Sequence, residues 1–325
     1  MIAKKILGVS LFIFSLSMIF SLVYLSISPK TSFGEQWKIA VLLSKSARPY
    51  SQALSAFGET LAGHGISAEI STYDIDGSLE EGHSALKRIR ELNPRIILAV
   101  GSAATEVAFN EAKDYAVVFT MVLYPEDSGF VSKRSKNEMT GVLIDVPPEE
   151  QFKILKAFIP RVRRIGVLYD PQETGAVIED ARAAARALAL ELIAVKVRSA
   201  SEVPGALASL KGGIDALWSV ADSTVLTSKS TRYIITYSLR NKIPFMGVSP
   251  YFVREGALLS LSPDYLDIGR QTGEIAIQVL RGIPASNIKA VGPRKFITTI
   301  NLRTAWKMGL NVPEDVLASA QEVIK

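Results

Sequence analysis

Short apolar runs alternate with longer segments of helical periodicity along the chain from Trp37 onward. In the first half, the apolar runs predict strands at 37–43, 66–72, 95–100 and 116–120. The segments between them predict helices at 49–63, 79–92 and 102–112. A strand and helix order of βαβαβαβ predicts a parallel sheet with helices on both faces.

The same alternation starts again after residue 139. It predicts strands at 140–145, 164–169, 192–197, 216–220 and 244–248. The helices predicted between them are 147–158, 175–191, 201–210 and 224–241. Two tandem units of similar size predict a protein of two lobes.

The last part of the chain is too short for a third domain. It predicts a strand at 256–265, a helix at 268–281 and a strand at 295–302. We interpret it as an exchange in which the chain returns to the first lobe and then crosses back. The predicted lobes are 36–123 with about 251–290, and about 140–249 with 292–325. Three crossings would form a hinge beside a cleft.

Three predicted strands end in small polar clusters at the start of a helix. The clusters are Gly101 to Thr105, Tyr169 to Glu173, and Asp222 to Thr224. Ligands of open parallel sheets bind beyond the carboxyl ends of the strands. The free amides of a helix start favour an anion, and the Asp222 carboxylate could hold an amine. Ser and Asp also serve as N-caps that need no ligand, but clusters from both lobes on one rim favour a shared small ligand.

Composition excludes several classes of protein. The chain has 325 residues and no cysteine, so disulfides and thiolate sites are excluded. The net charge is +5, but three lysines lie within the first 30 residues, and the remainder has 34 basic and 32 acidic residues. This balance does not indicate a nucleic-acid-binding protein.

The N-terminal segment has the pattern of an export signal. Lys4 and Lys5 precede a run from Ile6 to Ile27 that carries no charge. A run of about 20 apolar residues is long enough for a membrane helix. Residues 1–30 are therefore expected to be either a cleaved signal peptide or a retained anchor, and both place the remainder outside the cytoplasm.

Motifs of catalysis are weak in this sequence. It contains no dinucleotide-binding, phosphate-loop or nucleophile-elbow motif. His64 and His83 are isolated and do not indicate a zinc site. Asp74 and Asp76 stand in a sequence typical of a turn. We expect no enzyme activity, no cofactor and no metal.

The sequence resembles the ABC-transporter substrate-binding proteins, a family that includes tryptophan- and other aromatic-amino-acid-binding members. The resemblance runs from about Lys38 to Leu310 and rests on the order of segments such as "PRIILAVGSAATEVA", "VVFTMVLYPEDSG", "ADSTVL", "NKIPFMGVSP" and "REGALLSLSPDYLDIGRQTGEIAIQVLRG". It implies an α/β fold of two Rossmann-like lobes, the type I periplasmic-binding-protein fold, preceded here by an N-terminal hydrophobic helix.

The resemblance also implies which residues contact a ligand. These are Ser102, Ala103, Tyr124, Pro125, Tyr169, Pro171, Glu173, Asp222, Ser223, Thr224, Ser249 and Asp264. The chain departs from its relatives at Arg48, where they tend to have a histidine. If Arg48 faces the cleft, the ligand is more acidic than a simple aromatic amino acid, because guanidinium prefers carboxylate or phosphate; if it faces solvent, it carries no information.

These observations predict a monomeric solute-binding protein that delivers an amino acid or small organic anion to an ABC permease. A membrane-tethered sensory module with the same cleft is an alternative, and an α/β transferase-like enzyme is a weaker one. On the leading hypothesis, Asp222→Ala should abolish a ligand-induced rise in Tm and leave the fold intact.

Overall fold

The computed structural model describes residues 36–123 and 138–325 of the chain. The expected signal peptide or anchor at 1–30, with its hydrophobic helix, lies outside these residues, as do Tyr124 and Pro125 of the expected site. Among the helices that are described, none is long and apolar enough to cross a membrane.

Strands and helices alternate through most of the described chain. The strands are β1 (Trp37–Leu43), β2 (Ala68–Asp74), β3 (Ile96–Val100), β4 (Val117–Val122), β5 (Met139–Leu143), β6 (Arg164–Tyr169), β7 (Glu191–Lys196), β8 (Ala216–Trp218), β9 (Phe245–Gly247), β10 (Leu259–Pro263), β11 (Phe296–Asn301) and β12 (Glu322–Ile324). The helices are α1 (Arg48–Gly63), α2 (Leu79–Leu92), α3 (Ser102–Glu111), α4 (Pro148–Phe158), α5 (Pro171–Ala187), α6 (Val203–Ser209), α7 (Ser228–Asn241), α8 (Pro250–Arg254), α9 (Tyr265–Leu280), α10 (Leu302–Met308) and α11 (Glu314–Ser319).

The strands form two separate sheets. The first has the order β2-β1-β3-β4-β5, and all its neighbours pair in parallel. The second has the order β12-β11-β10-β9-β8-β6-β7, in which only β10 and β11 are antiparallel neighbours. Strand β3 is buried along its whole length, which is the expected pattern for a central parallel strand covered on both faces.

Helices cover both faces of each sheet. In the first lobe, α1 and α9 pack on one face, and α2 and α3 pack on the other. In the second lobe, α4, α5, α10 and α11 contribute to one core cluster, and α6, α7 and α8 contribute to the other. The predicted two-lobed α/β architecture is therefore confirmed.

Helix α9 fits closely against α1 because it carries two glycines on the contacting face. A Cβ atom at Gly269 would overlap the carbonyl oxygen of Ala53. A Cβ atom at Gly273 would lie 2.8 Å from Cβ of Thr60. Helix α9 is thus held on the first lobe by a close approach to α1.

Two predicted lobe assignments are wrong. Strand β5, which we assigned to the second lobe, pairs with β4 at the edge of the first sheet. Strand β10, which we assigned to the first lobe, lies between β9 and β11 in the second sheet. Each of these runs is apolar enough to fit either sheet, so the pattern alone did not determine its partner.

The chain passes between the two sheets at three places. The first crossing joins β5 to α4, the second joins β10 to α9, and the third runs from Val291 to β11. Val291 belongs to the first lobe, because it makes a parallel bridge to Val142. The crossings place the carboxyl edges of the two sheets near a common hinge.

Candidate functional site

The polar clusters of the expected site lie at the carboxyl ends of their strands. Ser102 follows β3, Pro171 follows β6, Asp222 follows β8 and Ser249 follows β9. Their environments differ between the two lobes.

The first-lobe cluster is built around a glycine with a left-handed backbone. Gly101 has φ +89, and a Cβ atom there would lie 2.6 Å from Ser44 Oγ and 2.8 Å from Tyr50 Oη. Ser44 Oγ accepts a hydrogen bond of 2.9 Å from the backbone N–H of Ala104. The absence of a side chain at Gly101 lets the end of β1, the start of α1 and the start of α3 meet.

The start of α3 offers backbone donors. Within the described residues, no acceptor is found for the backbone N–H groups of Ser102 and Ala103. The Ser102 side chain is exposed, and Ala103 is partly buried. Free N–H groups at a helix start, together with the helix dipole, suit a carboxylate. Arg48 is exposed at the start of α1, on the same edge of the sheet.

Two tyrosines that the sequence prediction missed belong to this region. Burial raises the pKa of Tyr50 above its ordinary value. Burial also raises the pKa of Tyr265, and the nearby Tyr50 adds to this effect. A phenol whose pKa is at or above the ordinary value of about 10 is protonated at neutral pH, so both hydroxyls can donate hydrogen bonds. Nothing in the local sequence distinguishes Tyr50 from any other tyrosine in the first turn of a helix.

The second-lobe cluster is organised by a buried carboxylate. Asp222 is 1% exposed. Its Oδ2 accepts hydrogen bonds of 2.7 Å from both Asp170 N and Thr174 Oγ1, and its Oδ1 accepts one of 2.9 Å from Val225 N. Within the lobe, three of the roughly four acceptor sites of this buried carboxylate are thus occupied. The expectation that it holds the amine of a ligand finds no support in this geometry, and Asp222 instead positions its neighbours.

Two more carboxylates surround Asp222. Glu173 accepts hydrogen bonds from Ser223 N at 2.7 Å, Ser223 Oγ at 2.9 Å and Thr224 N at 3.3 Å. Asp170 caps α5 by accepting from Gln172 N, and its other oxygen accepts from Thr224 Oγ1 at 3.0 Å. Both are only partly buried, and no salt bridge to either is found among the described residues. The cluster therefore presents net negative charge at its surface.

The helix boundaries near this cluster differ from the prediction. Helix α5 begins at Pro171 rather than at 175, because Asp170 caps it and proline suits the first turn. Helix α7 begins at Ser228 rather than at 224, because Thr227 and Ser230 form a capping box there. Ser223 and Thr224 therefore lie in a loop, not in a helix.

Two expected contact residues have structural roles. The Tyr169 side chain is buried in the core of the second lobe. Asp264 caps α9 by accepting hydrogen bonds from Leu266 N and Asp267 N. Each role is sufficient to explain the residue type without a ligand, since an N-cap aspartate is common in its own right.

A cavity of about 470 Å³ lies where the lobes meet. Its walls include Ile144 and Tyr265 from the first lobe and Trp218 and Ser249 from the second. The indole Nε1 of Trp218 donates to Gln151 Oε1 at 2.8 Å, so that side chain is fixed in place. Ser102 and Asp222 are not among its lining residues. Of the expected residues, Ser249 therefore lines this cavity.

The remaining candidates have ordinary structural surroundings. Asp74 accepts a hydrogen bond from Ser46 Oγ at 2.6 Å, which lowers the pKa of its carboxyl group. His64 contacts the carbonyl oxygen of Thr60 at the end of α1, and His83 pairs with Glu111. In the described part of the chain, no three His, Asp or Glu side chains are placed to hold a metal ion.

Comparisons with known sequences agree with this architecture. A family model described as "ABC transporter substrate binding protein" matches residues 38–324. A curated relative, the "Tyrosine-binding protein" of Clostridioides difficile (strain R20291), is 27% identical over 197 residues. The match covers 59% of this chain and 56% of that protein, so it spans little more than half of the relative's length.

Solved structures with the same fold cover most of the chain. A domain in complex with L-Trp from Streptococcus pneumonia is 23% identical, with a TM-score of 0.69 over 89% of this chain and 100% of that one. The ligand-free, open structure of a substrate-binding protein with adhesive properties from Clostridium difficile is 21% identical, with a TM-score of 0.77 over 89% of this chain and 99% of that one. At these identities, the likeness establishes the two-lobed fold.

Proposed function

The chain belongs to the family of ABC transporter substrate-binding proteins, and we propose that it captures an amino acid between its lobes and delivers it to a permease. Members of this family bind a solute and carry out no chemistry on it.

The observation that carries the proposal is a contrast of charge between the two carboxyl edges. The first-lobe edge has the exposed Arg48 and the N–H groups of Ser102 and Ala103, for which the described residues provide no acceptor. The second-lobe edge has Asp170 and Glu173, both partly exposed, without a basic partner among the described residues. A zwitterion would place its carboxylate at the first edge and its ammonium at the second.

In this arrangement, the amine of the ligand contacts Asp170 or Glu173 instead of Asp222. Glu173 and Asp170 reach the surface of the cluster, whereas Asp222 lies behind them and fixes them through Asp170 N and Thr174. A carboxylate has about four acceptor sites, so the hydrogen bonds that Asp170 already accepts leave room for an ammonium group. Ser223 and Thr224 support Glu173 from the loop that follows β8.

The side chain of the ligand would extend toward the cavity between the lobes. Its walls carry Trp218, Val177, Leu261 and Tyr265, and a volume of about 470 Å³ accommodates a large apolar side chain. Ligand pockets of this kind are mostly apolar, with few polar groups that fix orientation. The named ligands of the relatives, tyrosine and L-Trp, support an aromatic amino acid.

We place the protein outside the cytoplasm, where solute-binding proteins of importers work. Lys4, Lys5 and the uncharged run from Ile6 to Ile27 support export. The intact mass of the purified protein distinguishes the two fates of this segment. A mature protein that begins near residue 30 supports a released carrier, and a retained N-terminus supports a tethered module.

Calorimetric titration with L-tyrosine and two analogues tests the proposed function. Tyramine lacks the carboxylate, and 3-(4-hydroxyphenyl)propionate lacks the amine. We expect L-tyrosine or L-tryptophan to bind and both analogues to bind at least tenfold more weakly, because each forfeits one charged contact of the kind worth about 1.5–3 kcal/mol. Equal binding of an analogue would contradict recognition of a zwitterion.

A pair of matched variants tests the second-lobe contact. Glu173→Gln removes the negative charge at the cluster, and Glu179→Gln makes the same change on the exposed part of α5. We expect only Glu173→Gln to weaken binding of the amino acid. If both variants bind as well as the wild type, the amine is held elsewhere.

A further inference from the structure

The third crossing is tied to the first lobe by one arginine. This crossing, residues 292–295, joins Val291 of the first lobe to β11 of the second. Arg294 Nε and Nη2 contact the two carboxylate oxygens of Asp267 at 2.9 and 3.3 Å. Its Nη1 and Nη2 contact the carboxylate of Glu274 at 2.8 and 2.9 Å. One guanidinium thus bridges two turns of α9.

The carboxylate at the centre of this network is buried. The Asp267 side chain is 2% exposed, and it has weaker contacts with Arg270 at 3.8 Å and Lys295 at 3.7 Å. Hydrogen bonds to Glu274 and Asp267 raise the pKa of Arg294 above its ordinary value, and a guanidinium stays charged in a protein in any case. A buried carboxylate needs a paired cation. The network therefore holds the crossing firmly against α9.

The second crossing is joined to the third at the same point. Only Asp264 separates β10 from α9, and its backbone N–H donates to the carbonyl oxygen of Lys295 at 3.0 Å. On the second-lobe side, Pro263 and Phe296 are paired in the antiparallel ladder of β10 and β11. Between the anchor at Arg294 and the start of the ladder, only Lys295 remains to bend.

We propose that Arg294 is a positioning residue, which confines the bending of the third crossing to the segment between Arg294 and Phe296. This inference rests on the proposed function, because it assigns Arg294 a part in lobe closure. Without the anchor, residues 292–294 are released from α9, and the hydrogen bond from Asp264 N to the Lys295 carbonyl oxygen remains. The ligand-free protein then samples more lobe orientations, and closure around a ligand must order them at a cost in conformational entropy.

The two lobes offer sites for a pair of labels. The chain contains no cysteine, so Glu80→Cys and Lys229→Cys introduce the only two thiols. Both positions are exposed, and they lie at the carboxyl edges of different lobes. Spin labels are attached at these two positions in the full-length chain, which is kept in detergent. Pulsed electron paramagnetic resonance then measures the distribution of distances between the two lobes.

Arg294→Gln is compared with Arg270→Gln as a matched control. Both arginines contact Asp267 and have the same side-chain exposure of 44%, but Arg270 lies on α9 itself and ties no crossing. We expect Arg294→Gln to broaden the distance distribution of the ligand-free protein and to weaken amino-acid binding about tenfold. Arg270→Gln should leave the distribution unchanged.

Two outcomes would overturn the inference. One is an unchanged distribution in Arg294→Gln, and the other is equal broadening in Arg270→Gln, which would indicate a general effect of charge. Arg294→Lys provides a second variant that keeps a cation beside Asp267 but cannot bridge to Glu274 as well, and it should broaden the distribution less. The measurement on ligand-free protein needs no ligand, so it can succeed even where the proposed amino acids fail to bind.

Discussion

The Asp222 carboxylate accepts a hydrogen bond of 2.7 Å from the Thr174 hydroxyl, and this contact joins the loop after β8 to the first turn of α5. Thr174 departs from helical geometry, with φ −125 and ψ 18, although it lies within α5. The hydroxyl and the carboxylate are both buried. The second-lobe edge of the cleft is therefore held in place by a polar contact inside the lobe.

Asp222→Asn is expected to destabilise the protein. The amide replaces an acceptor oxygen with a donor beside the N–H and O–H groups that Asp222 now satisfies, and a buried unsatisfied group costs about 1–3 kcal/mol. Urea unfolding measures the loss, with the exposed Ser223→Ala as a control for the loop. An unchanged midpoint would contradict the structural role of Asp222 and favour a direct contact with the ligand.

Gly269→Ala is expected to separate α9 from α1. The new Cβ atom would overlap the Ala53 carbonyl oxygen, and overpacking of this kind costs about 1–3 kcal/mol. Gly58→Ala is the matched control, because a Cβ atom at this helical glycine would have no atom within 4 Å beyond its chain neighbours and the backbone of its own helix. Thermal unfolding should show a lower Tm for Gly269→Ala and an equal or higher Tm for Gly58→Ala. Equal changes in Tm for the two variants would mean that α9 and α1 do not approach each other closely at Gly269.

Stability is expected to fall in alkaline solution, in part through Tyr265. Burial raises the pKa of this phenol above its ordinary value of about 10. The folded protein therefore retains a proton that the unfolded chain loses, so stability is present below pH 10 and is lost as the pH rises toward the folded pKa. Chemical unfolding between pH 9 and 11 should show a smaller decrease for Tyr265→Phe. An identical slope in both proteins would remove Tyr265 as the cause.

Tyr50→Phe is expected to weaken ligand binding. The Tyr50 hydroxyl lies beside Gly101 and Ser44, at the edge where we place the carboxylate of the ligand. Loss of one hydrogen bond is worth about 1 kcal/mol, or roughly fivefold in Kd. Tyr251→Phe, at an exposed tyrosine of the second lobe, controls for the loss of a hydroxyl. Equal affinities of the two variants would place Tyr50 outside the site.

Much of the fold could be predicted from the sequence, because strand and helix periods are local properties. Helix α2 is found at its predicted bounds, and in the structure its N-cap Ser78 accepts a hydrogen bond from Glu81 N. The partners of β5 and β10 could not be predicted in this way. Which sheet a strand joins depends on contacts with strands far away in the sequence, and a local pattern does not contain them. The close contact that brings α9 back to the first lobe involves glycines, which carry no periodic signal.

The site was harder to predict than the fold. A small polar residue after a strand has the same sequence pattern whether it faces a ligand, as the exposed Ser102 does in our proposal, or caps a helix, as Asp264 does. Asp222 was predicted to contact the ligand, because its local sequence does not show that it is buried. Its hydrogen-bond partner Thr174 lies 48 residues earlier in the chain. Tyr50 was missed because its hydroxyl lies close to Gly101, which is distant in the sequence and leaves space by having no side chain.

The most direct test of two lobes that hold one solute is a crystal structure of the chain with the amino acid that binds most tightly in calorimetry. We expect the carboxylate of that amino acid within about 3 Å of Ser102 N or Ala103 N. Its ammonium group should lie at a similar distance from Asp170 or Glu173. A ligand that contacts only one lobe, or that binds away from both edges, would contradict the shared site.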